Sequence, residues 1–152
     1  MIIPRSMIGL FVALFTVASG LSVLQFISQP DPAPLRYEVP FKVLTPGVPV
    51  GGTLVLERTK CNATDQEIVT DGVSGYRRWN AVDNHAVGGG VVGMSASIGT
   101  WVPGCTTDVR SPILPSEVGP GWWRFEGTST YIARGVSQRL LWYSEPFEVV
   151  QR

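Results

Sequence analysis

The chain has 152 residues with 12 basic and 12 acidic side chains, a net charge of zero and no segment that collects one sign, which argues against a nucleic-acid binder and its basic face or tail. Seventeen glycines and twelve prolines are too many for a helical bundle and suit short strands joined by tight turns. Two cysteines and one histidine leave little material for a metal centre or a thiol catalyst.

The first element is the uncharged run Met7 to Ile27, preceded by Arg5. As a helix it spans roughly 31 Å, the thickness of a bilayer's hydrocarbon core. Positive charge stays in the cytoplasm, so residues 1–6 are expected inside and the remainder outside, periplasmic or extracellular. The reading is a signal-anchor helix over 7–27, with the lipid bilayer as its partner. A cleaved signal peptide is the alternative, because Ala18-Ser19-Gly20 resembles a small-residue cleavage site. Cutting there leaves the apolar stretch Leu21 to Ile27 on the mature end, which favours the anchor. Thr16 with Gly20, and Ala18 with Ser22, are small-xxx-small pairs that permit a homo-oligomer through the helix. Residues 28–34 alternate proline with small or polar residues and read as a semi-rigid stalk.

Residues 35–152 carry a period of two and no helix-length pattern. Expected strands are Leu35 to Leu44; Thr53 to Arg58 after the Gly51-Gly52 turn; Glu67 to Thr70, ended by Asp71-Gly72; Tyr76 to Trp79; and Val91 to Trp101, bounded by Pro103-Gly104. The clearest alternation sets Trp123, Phe125, Ser129, Tyr131 and Ala133 on one face against Arg124, Glu126, Thr128 and Thr130 on the other. Leu140 to Tyr143 and Pro146 to Val150 close the chain. About seven short strands predict an all-β, antiparallel, immunoglobulin-like β-sandwich over 35–152, with a small barrel as the alternative. In an extracytoplasmic compartment Cys61 and Cys105 are expected to form a disulfide.

Chemistry is sparse. Asp83-Asn84-His85 is a turn with one imidazole, so no metal site and no catalytic residue is expected. Gly88-Gly89-Gly90-Val91-Val92-Gly93 matches a dinucleotide fingerprint in letters only, because no helix follows; no cofactor is expected. Asn62-Ala63-Thr64 is a glycosylation sequon. Adjacent aromatics Trp122-Trp123 and Trp142-Tyr143 cannot both face a core, so Trp122, Trp142 and Tyr143 are the candidate binding surface for a protein or glycan.

Gly51-Gly52-Thr53-Leu54 leading to Cys61, then Ile68, Asp71-Gly72, Ile113-Leu114-Pro115, Pro120-Gly121, Tyr131 and Pro146-Phe147-Glu148-Val149 resemble a group of small phage-encoded, membrane-anchored proteins with an immunoglobulin-like ectodomain. The resemblance covers about residues 44–150 and implies place and fold. It departs in one respect: such proteins carry the second cysteine after the tyrosine strand, whereas Cys105 precedes it here. The functional expectation is therefore a phage or bacterial binding protein without catalytic activity. A secreted or virion-associated structural module with its signal removed is the second reading.

Overall fold

The computed structural model describes residues 33–151. The tail, the anchor helix and most of the stalk expected over 1–34 lie outside them. Among the described residues no helix is long and apolar enough to cross a membrane. Pro34 opens a compact unit that runs to Arg152 and is all-β.

Ten strands follow in order: β1 Leu35–Val43, β2 Gly47–Pro49, β3 Leu56–Asn62, β4 Ile68–Asn80, β5 His85–Ala86, β6 Val92–Trp101, β7 Gly104–Arg110, β8 Gly121–Ala133, β9 Val136–Tyr143 and β10 Phe147–Val150. β1, β3 and β7 make a three-stranded antiparallel sheet with β3 central. The large sheet is built on β4 and β8, each 13 residues long, paired antiparallel from Asp71↔Thr130 to Arg78↔Trp123. β6 and β5 share the far edge of β4, and β9 and β10 share the far edge of β8. β2 adds to β10 in parallel, an exception to the expected all-antiparallel pairing.

Three strand expectations need correction. Asp71-Gly72 do not end a strand. Both residues are paired on two sides, Asp71 with Ile98 and Thr130, Gly72 with Ser97 and Ser129, so two ladders override the local turn preference. A Cβ at Gly72 would stand 3.1 Å from Ser97 Oγ, so that hydroxyl would have to shift to admit one. The second strand starts at Leu56, not Thr53, because Thr53 makes only an isolated bridge to Ile113 and Leu54 N–H donates to Pro112 C=O. Gly104 to Arg110 is a strand that its polar composition hid; Gly104, at φ 90°, supplies the left-handed turn that starts it.

The two sheets pack face to face over a core in two parts. One gathers Val48, Leu56, Tyr76, Trp123, Phe147 and Val149, and the other Leu35, Trp101 and Tyr131. Phe147 is wholly buried, and its removal from water contributes about 2–3 kcal/mol. Between the sheets Tyr37 meets Trp101 and Trp142 edge-on, at 4.6 and 6.1 Å between ring centroids.

The Cys61–Cys105 disulfide is present. It joins directly opposed residues of β3 and β7, Cα–Cα 4.0 Å, within the small sheet. It therefore staples one sheet rather than tying the two sheets together.

Candidate binding surfaces

Alternation decides where each aromatic of the candidate set goes. On β8 the odd positions turn inward, so Trp123 is buried and Trp122 is 40% exposed. On β9 the same rule separates the other pair: Tyr143 is 37% exposed, while Trp142 is inside. Trp142 stacks on Phe41 at 5.2 Å, and its Nε1–H donates to Ser129 Oγ at 3.2 Å. Its membership in a surface is therefore corrected to a core role. Gly127 makes room for it, because a Cβ there would collide with the Trp142 ring and the Val73 carbonyl oxygen.

Trp122 and Tyr143 share the outer face of the large sheet. Between them lies Arg124, whose guanidinium sits 3.8 Å over the Trp79 ring and 4.7 Å from Tyr143. Glu126 holds this stack in place. It accepts from Arg77 Nε at 2.6 Å and from Arg124 Nη2 at 3.1 Å. The cation is thus already committed, and the cluster presents flat aromatic edges rather than a free charge.

Farther along the same face the usual polarity of a sheet is reversed. Val69, Val73, Met94, Ile98, Ile132 and Leu141 all point outward, and Val69, Met94, Ile98, Ile132 and Leu141 are each more than 60% exposed. The inward positions of β4 and β6 are instead Thr70, Gly72, Ser74, Ser95, Ser97 and Gly99. A face so apolar is unusual on the solvent side of an antiparallel sheet, which makes it a candidate contact surface. One row across it reads Asp71, Thr130, Arg139, and the next Val73, Thr128, Leu141. Asp71 and Arg139 are exposed, lie on either side of β8, and make no ion pair among the described residues.

The reversed strands also leave an open cleft of about 340 Å³ between the sheets. Its small-sheet wall carries Arg58, Lys60 and Arg110; the opposite wall is the serine and glycine face of β4 and β6. Asp108 sits across the ladder from Arg58, which donates to both its oxygens, from Nε at 2.5 Å and Nη2 at 2.9 Å. Burial pushes the Asp108 carboxyl upward, but the Arg58 bond and the neighbouring cations outweigh it and hold the group below its ordinary value. Burial, then the Arg58 charge, lowers Lys60. Arg58 is thus neutralised in place, Arg110 reaches the same carboxylate only at 3.7 Å, and the three cations outnumber the one acid on this wall.

The remaining motifs have structural roles. Asn62 is buried; its amide donates to Gln66 C=O at 2.8 Å and Trp101 C=O at 3.0 Å, and its oxygen accepts from Thr64. The sequon is a locked turn with both amide hydrogens used. His85 is exposed in β5, and no group of three metal-ligating side chains occurs among the described residues. The Gly88–Gly93 stretch leads into β6, not a helix.

The reversed face and the cleft escape sequence reading because both depend on continuing β4 through Asp71-Gly72. Once that strand is unbroken, Val69, Asp71, Val73 and Gly75 fall on one side by parity alone.

No protein-family model matches the chain, and no curated protein does. Among solved structures it is similar to the alkylpurine DNA glycosylase AlkC of Pseudomonas fluorescens, at 10% identity and TM-score 0.45, over 84% of this chain and 33% of that one. It is also similar to the sporulation control protein Spo0M of Bacillus subtilis, at 11% identity and TM-score 0.44, over 79% of this chain and 50% of that one. The chain thus spans a third and a half of these two proteins. Likenesses this distant say nothing of its function.

Proposed function

We propose that this is a membrane-anchored, extracytoplasmic, immunoglobulin-like binding module of phage or bacterial origin, acting by contact rather than catalysis. Its contact surface is the outer face of the large sheet. The observation that carries the reading is the reversed polarity of the outer face, which sends four large aliphatics of β4 and β6, with Ile132 of β8 and Leu141 of β9, to solvent beside Trp122 and Tyr143. The uncharged run over 7–27 behind Arg5 supports an anchor, and the Cys61–Cys105 bridge supports an oxidising compartment.

The partner that fits this face is a second copy of the chain. Asp71 and Arg139 are about 9–10 Å apart in one chain, two strand spacings. A two-fold axis along β8 sets Asp71 of one copy over Arg139 of the other, and Val73 over Leu141. Thr128 and Ile132, on the axis, then meet their own equivalents. Such an axis keeps strand direction, so both Leu35 ends leave the pair on the same side, as two chains held in one bilayer require. A Thr128→Cys variant of the full chain in liposomes tests this reading. The expected result is a disulfide-linked dimer under mild oxidation, with none from Val109→Cys on the small sheet. Equal cross-linking at both positions, or none at Thr128→Cys, removes the assignment.

A further inference from the structure

We infer that the cleft between the sheets is a second site, separate from the outer face, which binds a sugar-sized carboxylate such as a hexuronate. The three features that such a ligand needs occur together there.

The first is charge. Arg58 and Asp108 satisfy each other, which leaves Lys60 and Arg110 to attract one anionic group. Lys60 uses one donor on Thr100 C=O at 3.1 Å and has two more; Arg110 has only a 3.7 Å approach to Asp108. The second is hydroxyl recognition. Ser97 Oγ points over Gly72 into the cleft, and Ser111 lies at its rim. Neither hydroxyl has a hydrogen bond among the described residues, in contrast to Ser74, Thr70 and Ser129, which are all engaged. The third is apolar contact. Tyr37 and Phe125, both half-buried, line the same space and offer ring surface to the C–H face of a sugar.

A volume of about 340 Å³ lies at the small end of ligand sites. Inorganic phosphate would leave most of it empty and would gain nothing from the rings. Asp108 on the same wall also disfavours a dianion. A neutral sugar would leave Lys60 and Arg110 unanswered. The inward-facing glycines and serines of β4 and β6 explain how the space arises: side chains that would otherwise complete the core are absent along this stretch.

The test is calorimetric titration of the full chain in detergent micelles with sodium glucuronate, glucose and inorganic phosphate. Glucuronate is expected to bind and glucose not to; phosphate should bind at least tenfold more weakly. Lys60→Met and Arg110→Gln should each weaken glucuronate binding at least tenfold. Arg110 is half exposed and outside the core, so its variant reads binding even if Lys60→Met folds poorly. Ser97→Val should block the site from the opposite wall. Absence of glucuronate binding, equal binding of glucose or phosphate, or binding unchanged in Arg110→Gln and Ser97→Val overturns the assignment. Loss of the outer-face dimer leaves these outcomes untouched, because the two sites lie on opposite sides of the large sheet.

Discussion

Replacing Leu141 with asparagine separates a contact residue from a folding residue. Leu141 is 72% exposed on the outer face. The folded chain therefore has little to lose there, and the change in unfolding free energy should stay within about 0.5 kcal/mol. Association is different. Burying a leucine side chain fully contributes about 1.5–3 kcal/mol, so its 72% exposure leaves about 1–2 kcal/mol per copy to be gained at an interface. Two-fold symmetry doubles this to about 2–4 kcal/mol, roughly a 30- to 700-fold rise in Kd. The assay is sedimentation equilibrium of the full chain in density-matched detergent, alongside thermal unfolding of the same samples. Val109→Asn, at a 55% exposed site on the small sheet, serves as the control and should change neither. A Kd shift below threefold for Leu141→Asn would refute the reasoning. So would a loss of stability above 1 kcal/mol, because the residue would then belong to the fold.

Further outcomes concern the scaffold. Gly127→Ala drives a methyl into the Trp142 ring and the Val73 carbonyl, with Trp142 Cη2 at 2.8 Å, and should cost about 3 kcal/mol or more in chemical denaturation. Reduction of Cys61–Cys105, 44 residues apart, should lower stability by up to about 4 kcal/mol on the chain-entropy model, read as a lower melting temperature in dithiothreitol. Tyr76, raised to about 12 by burial, should ionise late. Its folded value lies above the unfolded value of about 10, so its contribution is intact below pH 10 and is lost as pH rises toward 12. Denaturant midpoints across that range should fall, by less in Tyr76→Phe. Asp108 has the opposite sign: its folded value is depressed, so its contribution holds above the unfolded Asp range and disappears as pH falls below about 4. Asp108→Asn should flatten that acid limb of the stability curve.

The fold was legible where one face of a strand is buried. The alternation from Trp123 to Ala133 places β8 correctly, because Trp123, Ser129 and Tyr131 are all turned into the core. The cysteine pair was legible because the chain has just two cysteines and was expected to lie outside the cytoplasm. The course of β4 was not, because Asp71-Gly72 carries turn chemistry and only the partners on both sides, β6 and β8, hold it extended. With β4 cut short, Val73 and Val69 had no assigned face, and the reversed polarity stayed hidden. The cleft was less legible still. Nothing in the expected strand Thr53 to Arg58 assigns a face to Arg58, and Lys60 lies beyond its end; both line an interior because β3 is central in the small sheet and turns that side toward β4 and β6. Adjacency of Trp142 and Tyr143 shows only that the two side chains diverge, not which one turns inward, so the place of Trp142 in the core needs the packing against Phe41 to reveal it.

The central claim is that the outer face of the large sheet is covered by its own copy. Disulfide capture in Val73→Cys/Leu141→Cys, with the full chain in liposomes, tests it most directly. The two positions share a row across β8 and meet only between chains under the two-fold arrangement. The account predicts covalent dimers from the double variant and none from Val73→Cys alone. Monomer in both, or equal dimer from the single variant, would contradict it.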